Sequence, residues 1–157
     1  MSEELEQLEE AYGDMGPVEY VVLAWPGGIP PVEGKVAEKI VNAQQAGIIR
    51  VLDFALVAKD ADGNVAAIEL ADLGDDHHLS EFDGAASGML DEGDLEEAAK
   101  NLDPDSAAAI IVWENRWAAP IAIELRKQGG MLIDRGLVPI QGILAALEAL
   151  EAAEAAN

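Results

Sequence analysis

Two stretches of this chain repeat one plan, and that repetition constrains the fold more than any other feature. In the first, YVVLAW (Tyr20–Trp25) leads through a Gly/Pro-rich loop and an amphipathic segment to QQAG and IIRVLDF (Ile48–Phe54). In the second, AIIVWEN (Ala109–Asn115) leads through another amphipathic segment to RKQGG and MLIDRG (Met131–Gly136). Short β-branched runs bounded by turn residues read as strands, and apolar residues three and four apart read as helices. Each unit is therefore strand–helix–strand, with glycine after glutamine stopping the helix. Two such units bury their apolar faces by interleaving in one antiparallel sheet with helices on one face. The expected fold class is α+β: a ferredoxin-like duplicated strand–helix–strand sheet with an added hairpin strand and a C-terminal helix. In that plan the strands that open the two units lie side by side and parallel. Trp25 and Trp113 then meet at one sheet edge, with Trp117 one turn into the second helix.

The segment boundaries follow from local signals. Strands are expected over Val18–Trp25, Ile48–Asp60, Asn64–Leu73, Ala107–Asn115 and Met131–Pro139. Asp60-Ala61-Asp62-Gly63 is the hairpin turn between the second and third. Helices are expected from Val32 to Ala46, from Leu95 to Leu102 with Asp91 or Asp94 as cap, from Trp117 to Lys127 and from Gln141 to Ala156. In the last, Ile143, Leu144, Leu147 and Leu150 form an apolar stripe that excludes Glu148, Glu151 and Glu154. Glutamates at that end oppose the helix dipole, so the end is expected to fray or to dock on a partner. Residues 74–93, rich in Gly, Asp and Ser, read as a surface loop or a short, loosely packed helix. Residues 1–15 read as an acidic tail or a short helix carrying Leu5, Leu8 and Tyr12, and residues 16–157 as a single α+β domain.

Charge narrows the partners. The chain has 31 Asp and Glu against 9 Lys and Arg, a net charge of -22. Phosphate backbones and anionic membranes repel such a surface, so neither nucleic acid nor membrane is expected as a partner. The absence of cysteine excludes disulfides, thiolate nucleophiles and Cys-based metal sites. The N-terminus is acidic where a signal peptide requires a basic start, and no apolar run approaches the ~20 residues of a membrane span. A cytoplasmic location is expected.

The candidate ligand or interface residues are Trp25, Trp113, Glu114, Arg116 and Trp117, beside the Gly27-Gly28 loop. Tryptophan and arginine are enriched where proteins associate, whereas the alternative is a core plug with Glu114 and Arg116 solvated. Asp75-Asp76-His77-His78 is a weaker metal candidate: imidazoles bind zinc or nickel, but no third ligand at matching spacing follows His77 and His78. Ser80 and Ser87 lie near these histidines without a nucleophile elbow. The Gly27-Gly28 loop lacks phosphate-binding patterns, and its prolines remove donors. Asp60-Ala-Asp-Gly63 begins like a calcium loop but lacks the later ligands. Glu96-Glu97 and Asp91-Glu92 are ordinary helix-start chemistry. No catalytic residue, resident metal or cofactor is assigned.

GPVEYVVLAWPG, IRVLDFALVAKDADGNV and LDPDSAAAIIVWENRWAAPIAIELRKQGG together resemble an actinobacterial protein family of unknown function. That family is similar in turn to a broader bacterial group of membrane or general-stress proteins. The resemblance spans about residues 16–150 and implies a bacterial, stress-related setting. It carries no functional residues over to this chain. The broader group has a Gly-rich apolar segment mid-chain, where residues 74–93 here are acidic.

The function expected is that of a non-enzymatic, self-associating structural or interaction protein, a homo-oligomer with room for a further protein partner. The alternatives are a small-molecule-binding regulatory domain with its pocket at the tryptophan edge, and a small dimeric α+β enzyme using His77, His78, Glu114 and Arg116.

Overall fold

A computed structural model describes residue 3 and residues 13–28, 34–68 and 88–156. The chain forms strand β1 (Val18–Pro26), helix α1 (Lys35–Gln45), strands β2 (Ile49–Lys59) and β3 (Val65–Ala67), and helix α2 (Glu92–Ala99). Strand β4 (Ser106–Asn115), a 3-10 turn (Arg116–Ala118), helix α3 (Ala119–Lys127) and helix α4 (Ile140–Ala155) follow among the described residues. The fold class is α+β. Its four-stranded sheet has the order β1-β4-β2-β3, and all neighbours are antiparallel.

The centre of the sheet is β4, and its sequence explains why. SAAAIIVWEN is apolar on both faces, as a strand covered on both sides must be, and all of it except Trp113 is buried. Alternate residues serve different helices. Ala109 and Ile111 join Val51, Leu56 and Ile49 beneath Val41 of α1. Ala108 and Ile110 join Val57 beneath Ala99 of α2 and the adjoining Leu102. The two helices therefore lie on opposite faces of the sheet, not together on one. The small alanines of β4 let both approach closely.

Local chemistry sets the connections. Gly47, at φ 74°, ends α1 where only a residue free of the Cβ clash is comfortable. Asp60 organises the β2–β3 hairpin by accepting from the backbone N–H groups of Asp62 (2.9 Å) and Asn64 (2.8 Å). Those bonds, Asn64 first, outweigh the opposing desolvation and hold its carboxyl below the usual aspartate range. Asp91 caps α2 in a reciprocal box with Asp94 (2.9 and 3.0 Å). Lys59 closes the other end, donating to the carbonyls of Ala99 (3.1 Å) and Leu102 (3.0 Å). A bulge between Val51 and Asp53 turns buried Asp53 to the α2 face, where it accepts from Leu90 N–H at 2.9 Å.

Three expectations are corrected. The strands that open the two units, β1 and β4, are neighbours, but they run antiparallel rather than parallel. Met131–Pro139 forms no strand and is exposed throughout. The second unit's helix, α3, contributes no residue to either buried cluster among the described residues. The added hairpin strand is present as Val65–Ala67; its expected continuation over 69–73 lies outside the described residues. So do the expected N-terminal segment carrying Leu5, Leu8 and Tyr12 and the first residues of the helix expected from Val32.

Candidate functional site

The antiparallel pairing separates the tryptophans. Trp25 stands opposite Ala107, and Trp113 stands opposite Glu19. Six residue steps along β4 part these positions, about 20 Å at ~3.4 Å each. Both indoles pack against the core beneath α1, at its two ends. The edge expected to hold Trp25 and Trp113 together therefore does not exist, and no single pocket can be closed by both. What the structure does assemble at one end of the sheet is Trp113, Glu114, Asn115, Arg116 and Trp117 with the starts of β1 and β2.

Two carboxylates organise that end, one on each face. Glu114 is 1% exposed. Its Oε2 accepts from the backbone N–H of Gly16 at 2.8 Å, and its Oε1 faces Arg50 Nε at 3.1 Å and an Arg116 terminal nitrogen at 3.5 Å. A buried carboxylate is tolerable only with such partners. This corrects the picture of Glu114 and Arg116 as a solvated pair: Glu114 is enclosed, and only the arginines reach water. With its oxygens turned to three donors and no open approach, Glu114 acts as a tie between β4, β2 and the segment leading into β1.

Glu19 lies on the α1 face. Its Oε1 accepts from Trp113 Nε1 at 2.8 Å and from Asn115 Nδ2 at 3.0 Å, and its Oε2 meets Arg135 at 2.6 Å. Partial burial raises its pKa, but the bonds from Asn115 and Trp113 and the Arg135 charge outweigh that and hold the carboxyl below the usual glutamate range. Trp113 is thus fixed by a hydrogen bond that its position at a strand end does not announce. The turn beyond β4 is pinned by the backbone: Asn115 N–H donates to Pro17 O (2.8 Å) and Trp117 N–H to Ile48 O (3.1 Å). The Trp117 ring projects outward, 59% exposed.

Sequence reasoning named Glu114 and Arg116 but missed Gly16, Glu19, Arg50 and Arg135. Gly16 reads in the sequence only as part of a Gly-Pro turn before β1. The others are charged residues in strands or an extended segment, and their partners lie 64 to 116 positions away in the chain. His77, His78, Ser80 and Ser87 lie outside the described residues. Among the described residues no group of three His, Asp or Glu side chains converges as metal ligands do, and no helix is long and apolar enough to cross a membrane.

From this end of the sheet an arm departs. Every residue from Met131 to Ala156 is exposed. Its first part carries Met131, Leu132, Ile133, Leu137 and Val138, with Leu137 97% exposed. Its second part, α4, buries none of its residues. Arg135, bridged to Glu19, holds the arm beside β1.

The fold and this site define a small acidic α+β protein with a four-stranded antiparallel sheet and a projecting apolar arm. Comparison of the chain with models of known protein families, with curated proteins and with solved structures gave no match.

Proposed function

We propose that this chain is a non-enzymatic, self-associating interaction protein whose contact surface is the C-terminal arm. The observation that carries this reading is the continuous exposure of large apolar side chains along residues 131–150, including Ile133, Leu137, Ile140, Ile143, Leu144, Leu147 and Leu150. Contiguous apolar surface of this kind marks association sites. The saturated partners of Glu114 and Glu19 support a bracing role for the carboxylates rather than proton transfer. A duplicated strand–helix–strand ancestry belongs to the same reading, with residues 131–139 as the strand left outside the sheet. So does the bacterial, stress-related setting that the resemblance implies.

The test is molar mass by light scattering across protein concentration and salt, with L144E/L147E beside wild type. A defined wild-type oligomer that the variant loses, with unchanged circular dichroism of the body, is the expected result. A wild-type monomer at every concentration and salt level overturns the reading.

A further inference from the structure

The charges of α4 are distributed unevenly. Glu148, Glu151 and Glu154 all lie in its C-terminal half, Ile140 to Leu147 carry no charge, and the helix has no base. Carboxylates near a helix C-terminus face the negative end of the dipole. The opposite end has the complementary need: its N-cap is Pro139, no side chain caps it, and no acid occupies its first turn. Taken alone, α4 is unfavourable at both ends, and its stripe of Ile140, Ile143, Leu147 and Leu150, in 3-4-3 spacing with Leu144 beside it, faces water.

A second α4 laid antiparallel resolves each of these features. With a two-fold axis opposite Ala145, Ile140 faces Leu150 of the partner subunit, and Ile143 faces Leu147 of the partner subunit. Gly142, Ala145 and Ala149 fall on the opposite face of the helix, so the larger side chains make the contact. In this register Glu151 of each copy lies level with Pro139 of the partner subunit, at the uncapped, positive N-terminal turn. The whole-chain charge favours the same direction. The body joins α4 at the N-terminal end, so a parallel pair would set two bodies of a chain with net charge -22 side by side. It would also align three glutamates with three. An antiparallel pair places the bodies at opposite ends of a helix of about 24 Å, beyond the ~8 Å over which physiological salt leaves charges coupled.

We propose that α4 is the dimerisation element and that it pairs antiparallel with α4 of a second copy about a two-fold axis near Ala145. This rests on the self-association reading above and adds the partner, direction and register. The occupant is a second copy because the chain itself supplies both complementary halves, and the isologous contact closes as a dimer.

The chain lacks cysteine, so single cysteines report position cleanly. Full-length I140C and L150C are prepared separately and mixed, then treated with a short bis-maleimide, and mass is measured by light scattering in parallel. The expected result is a dimer by mass, a cross-linked dimer from the I140C plus L150C mixture, and none from I140C alone. The positions are exposed and outside the sheet core, so the variants test contact rather than folding. A dimer in which I140C links to itself overturns the antiparallel direction, and a dimer with neither link places the contact elsewhere; self-association survives both. A monomeric mass, as when α4 folds onto its own body or serves another protein, overturns the inference and the self-association reading together.

Discussion

Gly16 donates its backbone N–H to the carboxylate of Glu114 at 2.8 Å, joining residues 98 positions apart. The contact requires glycine. A Cβ at Gly16 would lie 2.3 Å from the carbonyl oxygen of Asn115 and 3.1 Å from the backbone nitrogen of Ala119. Both obstacles are backbone, held by the Asn115–Pro17 and Trp117–Ile48 hydrogen bonds, so neither can yield cheaply.

Gly16→Ala is accordingly expected to destabilise the fold by about 3 kcal/mol. That corresponds to a loss of roughly 6–12 °C in Tm for a chain of this size. Gly13→Ala, where nothing lies within 4 Å, is the control and should change stability by no more than about 0.5 kcal/mol. Thermal denaturation of both variants decides the matter; equal midpoints would remove the close approach from the account.

Glu114 holds its place through donors from three segments. Glu114→Gln keeps the size but withdraws the charge from Arg50, and a cost of about 2 kcal/mol is expected in urea denaturation. Arg50 lies closer to the carboxylate than Arg116, at 3.1 against 3.5 Å. Arg50→Gln should therefore cost more than Arg116→Gln. The reverse order would mean that Arg116, not Arg50, is the working counter-ion in solution.

Glu19 links pH to stability. Its pKa is lower in the folded chain than its ordinary value. Its contribution is therefore complete above the ordinary glutamate value and disappears as pH falls through the lower folded one. Wild type should exceed Glu19→Gln in stability at pH 7, and the gap should narrow on acidification below pH ~4. Because Glu19 binds the Trp113 indole, the emission of Trp113 should shift over the same range in wild type only. A gap that does not vary with pH would argue against the link.

Lys59 ties β2 to the far end of α2. Lys59→Met retains the aliphatic stem but leaves the Ala99 and Leu102 carbonyls without this donor, at a cost of about 1 kcal/mol. Hydrogen exchange should quicken in α2 and leave the β1–β4 ladder unchanged. Uniform quickening would instead signal a global loss of stability.

The sequence determined the elements because their causes are local. Strand β4 reads as buried from AAAIIVW alone, since alternation is absent and both faces are apolar. The Asp60–Asn64 hairpin, the Asp91 cap and the Gly47 stop each depend on residues within a few positions, and each is in place. The stripe on α4 was equally visible. Tertiary structure decided what depends on pairing between distant segments. The direction of β1 against β4 is such a case: both directions bury the same residues, so hydrophobic pattern cannot choose between them, yet the choice sends Trp25 and Trp113 to opposite ends of the sheet. Met131–Pro139 has strand composition but makes no ladder, because composition does not specify a partner edge. The donors around Glu114 and Glu19 come from Gly16, Arg50, Asn115 and Arg135, which only the assembled sheet brings within hydrogen-bonding distance.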